Sequence, residues 1–405
     1  MKPVALDVWA RRRVVPRVAV PAQDLLLHHA PIAGDLQAAA LRVLASGRYI
    51  LPASPSPSAP SSSSPPSEVR AFEDEAAHAL GVAHAVGVSS GTDALLAMLM
   101  AARVGAGDEV ITTPFSFIAS AAAIARLGAR PVFVDIDPAT LTLDPEKAAA
   151  RIGPRTKAVL IVHLFGRAAR TEALASACVA RHIPLFEDAA QAIGAVDPAG
   201  RRAGTIGSAA ALSFFPTKNL GGFGDGGMVI TDDPALAAAV RLLRTHGATA
   251  KFHHTTIGGN FRLDELQAAL LRVKLPHLSA WTQARRRVAA SYLEALRDLP
   301  LGLPPADAGC VWNQFVVRTP DGCRDDLAAH LADQGISTAV YYPIPLHLQP
   351  CFAALGHRPG DFPVAEQAAS EVLALPLYPE LTDDQIGAVV DAVRGFFARV
   401  RFSAS

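Results

Sequence analysis

From about residue 83 onward, short and wholly apolar runs alternate with Ala-rich stretches whose apolar residues recur at helical spacing. Strands are expected at 83–88, 109–112, 131–134, 158–162, 184–187, 210–214 and 228–231. Helices are expected between them at 92–102, 118–127, 172–181 and 234–246, and upstream at 35–46. Strands that are apolar on both faces and separated by helices predict a mostly parallel sheet covered on both sides. A long helical stretch, 263–296, broken at Pro276, leads into a region of different character. There 313–318 and 337–341 read as strands, and 324–333, 364–373 and 383–397 as helices. The expected fold class is therefore α/β: a large, mostly parallel-sheet domain followed by a smaller C-terminal α+β domain. Its expected divisions are an N-terminal extension at 1–27, the large domain at 28–272 and the small one at 273–405. Residues 52–67 (PASPSPSAPSSSSPPS) offer nothing to bury and read as a disordered solvent insertion within the large domain.

Composition narrows the function classes. Of the 405 residues, 50% are apolar and 18% charged, enough to bury a large core. Acidic and basic residues balance at 37 each, which removes the electrostatic footprint of a general nucleic-acid or anionic-membrane binder. No run is long and apolar enough for a membrane span. The four cysteines stand far apart, with neither a CxxC pair nor a His/Cys cluster, so no metal site and a reducing, cytoplasmic setting are expected.

Three local patterns carry chemistry. Lys218 lies in SFFPTKNLGGFGDGG (213–227), after a strand and before a glycine run that lets main chain approach a ligand. Such an amine is either a surface lysine in a flexible turn or a lysine whose pocket depresses its pKa and readies it for a Schiff base. PLFEDAAQ (184–191) is an apolar strand ending in acid. Asp188 is a helix-capping acid or the partner of a pyridinium nitrogen, and Gln191, one turn on, can donate to a cofactor's phenolic oxygen. VGVSSGTDAL (86–95) is a strand, a Ser/Gly/Thr turn and a helix start, where the free N–H groups of Gly91 and Thr92 make a phosphate cradle. Ser213 adds a hydroxyl on the strand leading to Lys218. Phosphate cradle, strand-end acid and lysine in a Ser/Gly turn, in that order on an α/β pattern, together point to pyridoxal phosphate.

With these motifs the chain resembles the DegT/DnrJ-type family of pyridoxal-phosphate-dependent nucleotide-sugar aminotransferases. The resemblance runs from about residue 20 to 393. It rests on SGRYIL (46–51), GVSSGTDALL (87–96), GDEVITTPFSFIASA (107–121), PVFVDIDP (131–138), FEDAAQAIGA (186–195), SFFPTKNLGGFGDGG, GGNFRLDELQAALL (258–271) and YYPIPLHLQ (341–349). It implies the fold-type-I aminotransferase architecture, a homodimer with shared active sites, and pyridoxal 5'-phosphate as cofactor. It also implies a nucleotide-linked keto sugar as amino acceptor and an amino acid, glutamate, as donor. Lys218 matches the Schiff-base lysine, Asp188 the pyridinium partner and Gln191 the residue beside the cofactor oxygen. Phe117 falls where an aromatic ring stacks on the pyridine, although periodicity alone places it in the core. Gly91, Thr92 and Ser213 match phosphate ligands. Asn260 matches an asparagine reaching the phosphate from the other subunit, and Arg262 a residue near the sugar nucleotide; without the resemblance they read as a helix cap and a solvated arginine. Tyr341, Tyr342 and His347 fall in the substrate-side segment, and His163 at a strand end facing the same cleft.

The family turns quickly through Gly-Pro after GRYIL, whereas here the Pro/Ser run intervenes. Relatives that dehydrate sugars carry His in place of the lysine, and this chain keeps Lys218. The alternatives are a dehydratase or lyase on the same fold, or a non-catalytic regulator. The wording of SFFPTKNLG and YYPIPLHLQ favours 3-keto over 4-keto sugars, with products destined for surface polysaccharides or glycosylated metabolites.

Overall fold

The computed structural model describes residues 20–51, 67–320 and 322–403. Most of the expected N-terminal extension and, except for Ser67, the expected Pro/Ser insertion lie outside the described residues.

Seven strands form the main sheet: β1 (His84–Val88), β2 (Glu109–Thr112), β3 (Arg130–Phe133), β4 (Thr156–Val162), β5 (Leu185–Asp188), β6 (Ala209–Ser213) and β7 (Gly227–Thr231). Their spatial order is β1-β7-β6-β5-β4-β2-β3. All neighbours are parallel except β7, which runs antiparallel to both β1 and β6. Side chains alternate across the strands, and each face finds its own layer. Ala209, Ala211 and Val229 face a core built with Leu95, Met98 and Leu99 of the helix Gly91–Ala101. Ala210, Leu212 and Ile230 face Phe72 of the helix Glu68–Leu80 and Leu271 of the helix Glu265–Lys274. Because both faces are covered, the central strands contain almost no exposed position, which is why they read as continuous apolar runs.

Past β7 come the short pair β8 (Ala248–Ala250) and β9 (His253–His254), then the small domain's two strands, β10 (Phe315–Arg318) and β11 (Val372–Leu375). β10 and β11 pair antiparallel, with Phe315 opposite Leu375. Their core joins Phe315 and Val317 of β10 with Tyr292, Leu331 and Val389 of the helices Leu278–Ala295, Arg324–Asp333 and Asp383–Ser403.

Two expectations need correction, and one helix was not expected. Residues 337–341 form no strand; Ala339 alone bridges to Ala374 before the chain turns toward the cavity described below. The helix expected at 364–373 ends at Glu371, because Val372–Leu375 is wholly buried and pairs with β10. The helix Glu68–Leu80 has no counterpart among the expected elements, although Ser67 caps its start and a left-handed Gly81 ends it. Glu265 accepts from Ser67 Oγ (2.6 Å) and from the backbone N–H of Glu68 (2.5 Å) and Val69 (3.2 Å), an acid placed on that helix's positive end. The N–H of Glu265 donates to Tyr49 O, so both described flanks of the Pro/Ser run are tied to one residue. None of the described helices is long and apolar enough to cross a membrane.

Candidate active site

Parallel β5 and β6 end side by side, and the chain beyond each carries one of the key groups. Asp188 is the last residue of β5 and pairs in register with Ala211. Ser213 ends β6, and the turn after it is closed by Lys218 N–H donating to Phe215 O at 2.9 Å. Asn219 Nδ2 donates to Val311 O at 2.8 Å, tying the lysine turn to the segment that enters β10. Across from them the helix Gly91–Ala101 begins, capped by Ser90, whose side chain accepts from Asp93 N–H. Glycine is required there for packing. A Cβ on Gly91 would lie 2.7 Å from Ser213 Cβ, and one on Gly227 would lie 2.3 Å from the Ser90 carbonyl carbon.

These elements enclose a cavity of about 640 Å³ whose walls include Gly91, Thr92, Phe117, Asp188, Gln191, Ser213, Lys218, Tyr341 and Tyr342. Nine of the residues singled out in the sequence thus share one space. Asp188 is buried at its floor, and burial pushes its carboxyl pKa up. Ser120 Oγ donates to Oδ2 at 2.7 Å and Ala190 N–H to Oδ1 at 3.2 Å, both opposing that rise. Burial also lowers the Lys218 amine to about 8, with the Asp188 charge pulling the other way. The two do not form a contact ion pair, and Asp188 has no salt-bridge partner among the described residues. A buried carboxyl without a contacting cation is either neutral or paired with a cation that a ligand brings.

Gln191 is used at both ends. Its Oε1 accepts from Phe165 N–H at 2.7 Å, and its Nε2 donates to the Tyr342 hydroxyl at 3.1 Å. A primary amide has a second N–H, which remains for a ligand. Burial pushes the Tyr342 phenol well above its ordinary range, so it stays protonated. Phe117 does not lie in the core as periodicity predicts. It is 56% exposed at the cavity wall, its ring 6.3 Å from that of Tyr342.

Four other candidates sit elsewhere. Asn260 and Arg262 line an adjoining polar cavity of about 490 Å³, which shares only Ser90 and Asp225 with the first. His347 is buried away from both cavities, its Nε2 3.0 Å from Glu366 Oε1 and its ring edge-on to Phe362. His163 is wholly buried. Its Nδ1 accepts from Ala169 N–H and its Nε2 faces Glu187 Oε2 at 2.7 Å, so it holds a loop in place and does not face the cleft. Conversely, Ser116, Ser120, Thr217 and Gln314 were not legible as site residues; Ser116, Thr217 and Gln314 line the cavity and Ser120 lies behind it. For Ser116 and Ser120 the available signal was their spacing of four in PFSFIAS, one helical turn.

The residues fit pyridoxal phosphate. Gly91 keeps the helix N-terminus clear of side chain, the N–H groups there suit a phosphate, and Asp188 supplies the charge a protonated pyridine ring demands. Among the described residues no group of three or more His, Cys, Asp or Glu is placed to hold a metal ion.

Comparison with known proteins gives a consistent picture. Residues 62–394 match the model of the DegT/DnrJ/EryC1/StrS aminotransferase family. A "Pleiotropic regulatory protein" of Geobacillus stearothermophilus is 50% identical over 319 residues, covering 78% of this chain and 85% of that protein. The dTDP-3-amino-3,4,6-trideoxy-alpha-D-glucose transaminase of Streptomyces venezuelae is 44% identical over 392 residues, covering 96% and 98% of the two chains. The crystal structure of S. venezuelae DesV in complex with a ketimine intermediate superposes with a TM-score of 0.86 at 44% identity, covering 94% of this chain and 99% of the other.

Proposed function

The chain belongs to the DegT/DnrJ/EryC1/StrS aminotransferase family, whose enzymes use pyridoxal phosphate, and from that premise we propose that it moves an amino group from glutamate to the C3 keto carbon of a nucleotide-linked sugar. The observation that carries this reading is the single cavity into which Lys218 and Asp188 project with the Gly91–Thr92 helix start. Likeness to a 3-amino-sugar transaminase over nearly the full length of both chains supports the choice of C3.

The cofactor, when bound, supplies an aldehyde that takes up the amino group and a ring that withdraws electrons from the donor's α-carbon. The protein's part is positional and electrostatic. Gly91 and Thr92 N–H groups and the Ser213 hydroxyl would receive the phosphate. Asp188 would pair with the ring nitrogen and favour its protonated form. Gln191 would offer its spare N–H to the ring's phenolic oxygen, and Phe117 would supply an aromatic face to the ring. Lys218, its pKa lowered to about 8, is neutral in a useful fraction near physiological pH, as a nucleophile toward an aldehyde requires. With the cofactor bound, the Lys218 amine would be placed to hold and move the proton of the donor's α-carbon as general base and acid. Tyr341 and Tyr342 flank the substrate side. Asn260 and Arg262 project toward a second copy of the chain and complete its site in a homodimer; their place in the adjoining cavity, outside the Lys218 cavity of their own chain, favours this.

The test is a panel of nucleotide-linked 3-keto and 4-keto sugars incubated with glutamate and followed by product mass. Amination of a 3-keto substrate is expected. Amination of 4-keto substrates alone overturns the position, and loss of water without gain of nitrogen would favour a dehydratase. A cofactor-loaded protein that aminates none of the panel would favour the regulator reading that the Geobacillus relative's name raises.

A further inference from the structure

Two buried hydroxyls stand in line behind Asp188. Ser120 Oγ is 2.7 Å from Asp188 Oδ2, and Ser116 Oγ is 3.0 Å from Ser120 Oγ. Ser120 is wholly buried and Ser116 nearly so, while Ser116 also touches the cavity. A hydroxyl has one proton to give and an ionised carboxylate can only accept. Ser120 therefore directs its proton to Asp188. Its other acceptor, Phe117 O at 3.4 Å, is longer and uncharged. With that proton committed, Ser120 can only accept from Ser116. The direction of both bonds is thereby fixed, from Ser116 to Ser120 to Asp188, and a chain of aligned donors polarises each member in turn.

The backbone makes this arrangement rigid. Ser116 lies in the turn after β2 and Ser120 in the first turn of the helix Ala119–Arg126, four residues on. Phe117 stands between them, so one short segment positions both the exposed ring and the donors behind the carboxylate. Ala190 N–H holds the opposite carboxylate oxygen.

We infer that Ser116 and Ser120 are positioning residues, a donor relay that fixes the orientation and negative charge of Asp188 for the ring nitrogen of the cofactor. This rests on the reading of Asp188 as the ring-nitrogen partner. Among the influences on its carboxyl, burial works against ionisation and the Ser120 hydrogen bond leads those that favour it.

The experiment compares equilibrium binding of pyridoxal phosphate and its 1-deaza analogue, which lacks the ring nitrogen, to full-length protein stripped of cofactor. The readout is the ratio of the two dissociation constants, which a general loss of fold or of phosphate binding does not move. Wild type should prefer pyridoxal phosphate, and Asp188→Asn should abolish the preference. Ser120→Ala should lower the ratio by roughly tenfold or more, the range for a hydrogen bond to a charged group. Ser120→Thr, which keeps the hydroxyl, should restore most of it, and Ser116→Ala should lower it a few-fold. Should Ser120→Ala not fold, Ser116→Ala carries the test. An unchanged ratio in the serine variants, with a collapsed ratio in Asp188→Asn, overturns the relay and leaves the reading of Asp188 standing. An unchanged ratio in Asp188→Asn overturns both.

Discussion

Gly91 and Ser213 meet so closely that a single methyl on the glycine would lie 2.7 Å from the serine's Cβ. This contact joins the helix start that offers its N–H groups to a phosphate with the strand end that leads to Lys218. Gly91→Ala should therefore push the two apart. Overpacking of this kind costs about 1–3 kcal/mol, so cofactor affinity should fall by roughly 5- to 150-fold. Adding Ser213→Gly removes the clash but also a phosphate-side hydroxyl, so recovery should be partial. Titration of cofactor into the stripped variants, read by fluorescence, checks both.

Phe117 separates cofactor binding from stability. An aromatic side chain 56% exposed contributes little to the folded core. Phe117→Ala should leave the melting temperature of the cofactor-free protein nearly unchanged. It should weaken pyridoxal phosphate binding by roughly two- to tenfold, the worth of one stacked ring. A large fall in melting temperature without a change in affinity would return Phe117 to a packing role.

The pH behaviour follows from Lys218. Its amine titrates near 8 in the folded protein and near the ordinary lysine range of about 10.4 in the unfolded chain. Between those values the unfolded chain holds the extra proton, so this group's contribution to stability rises with pH across that window. Below about 8 both states are protonated and the penalty for burying the charge stands in full. Urea unfolding of the cofactor-free protein should show Lys218→Met more stable than wild type at pH 7, with the advantage shrinking toward pH 10. Capture of pyridoxal phosphate by the wild-type amine should quicken about tenfold per pH unit below 8 and level off above it.

Shared sites make a further prediction. Lys218→Ala and the Asn260→Ala, Arg262→Ala double variant should each be inactive, and mixing them under exchange conditions should restore activity through hybrids with one intact site. Recovery should approach about a quarter of the wild-type level, since random exchange makes half the dimers hybrid and each hybrid holds one good site of two. A monomer of full activity in sedimentation would contradict it.

How much of this was legible in the chain depends on what each residue answers to. Asp188, Ser213 and Lys218 were readable because sheet topology alone places strand ends and the turns beyond them along one edge. Phe117 was readable only through family likeness, because an aromatic in an apolar run looks like core until the turn exposes it. Ser120 was missed because its function depends on Asp188, sixty-eight positions away, which no local pattern records. His163 looked like a cleft residue by its strand-end position, yet Glu187 and Ala169 N–H take both ring nitrogens. The strand Val372–Leu375 was hidden by its uniform apolarity, which periodicity does not distinguish from the end of a buried helix.

Borohydride reduction of the cofactor-loaded protein, followed by peptide mass mapping, tests most directly that Lys218 is the amine around which this site is built. The pyridoxyl label should appear on Lys218, and Lys218→Ala should retain cofactor without covalent label and lose roughly 10³-fold or more in turnover. A label on Lys274 or any other lysine, with Lys218 unmodified, would contradict the account.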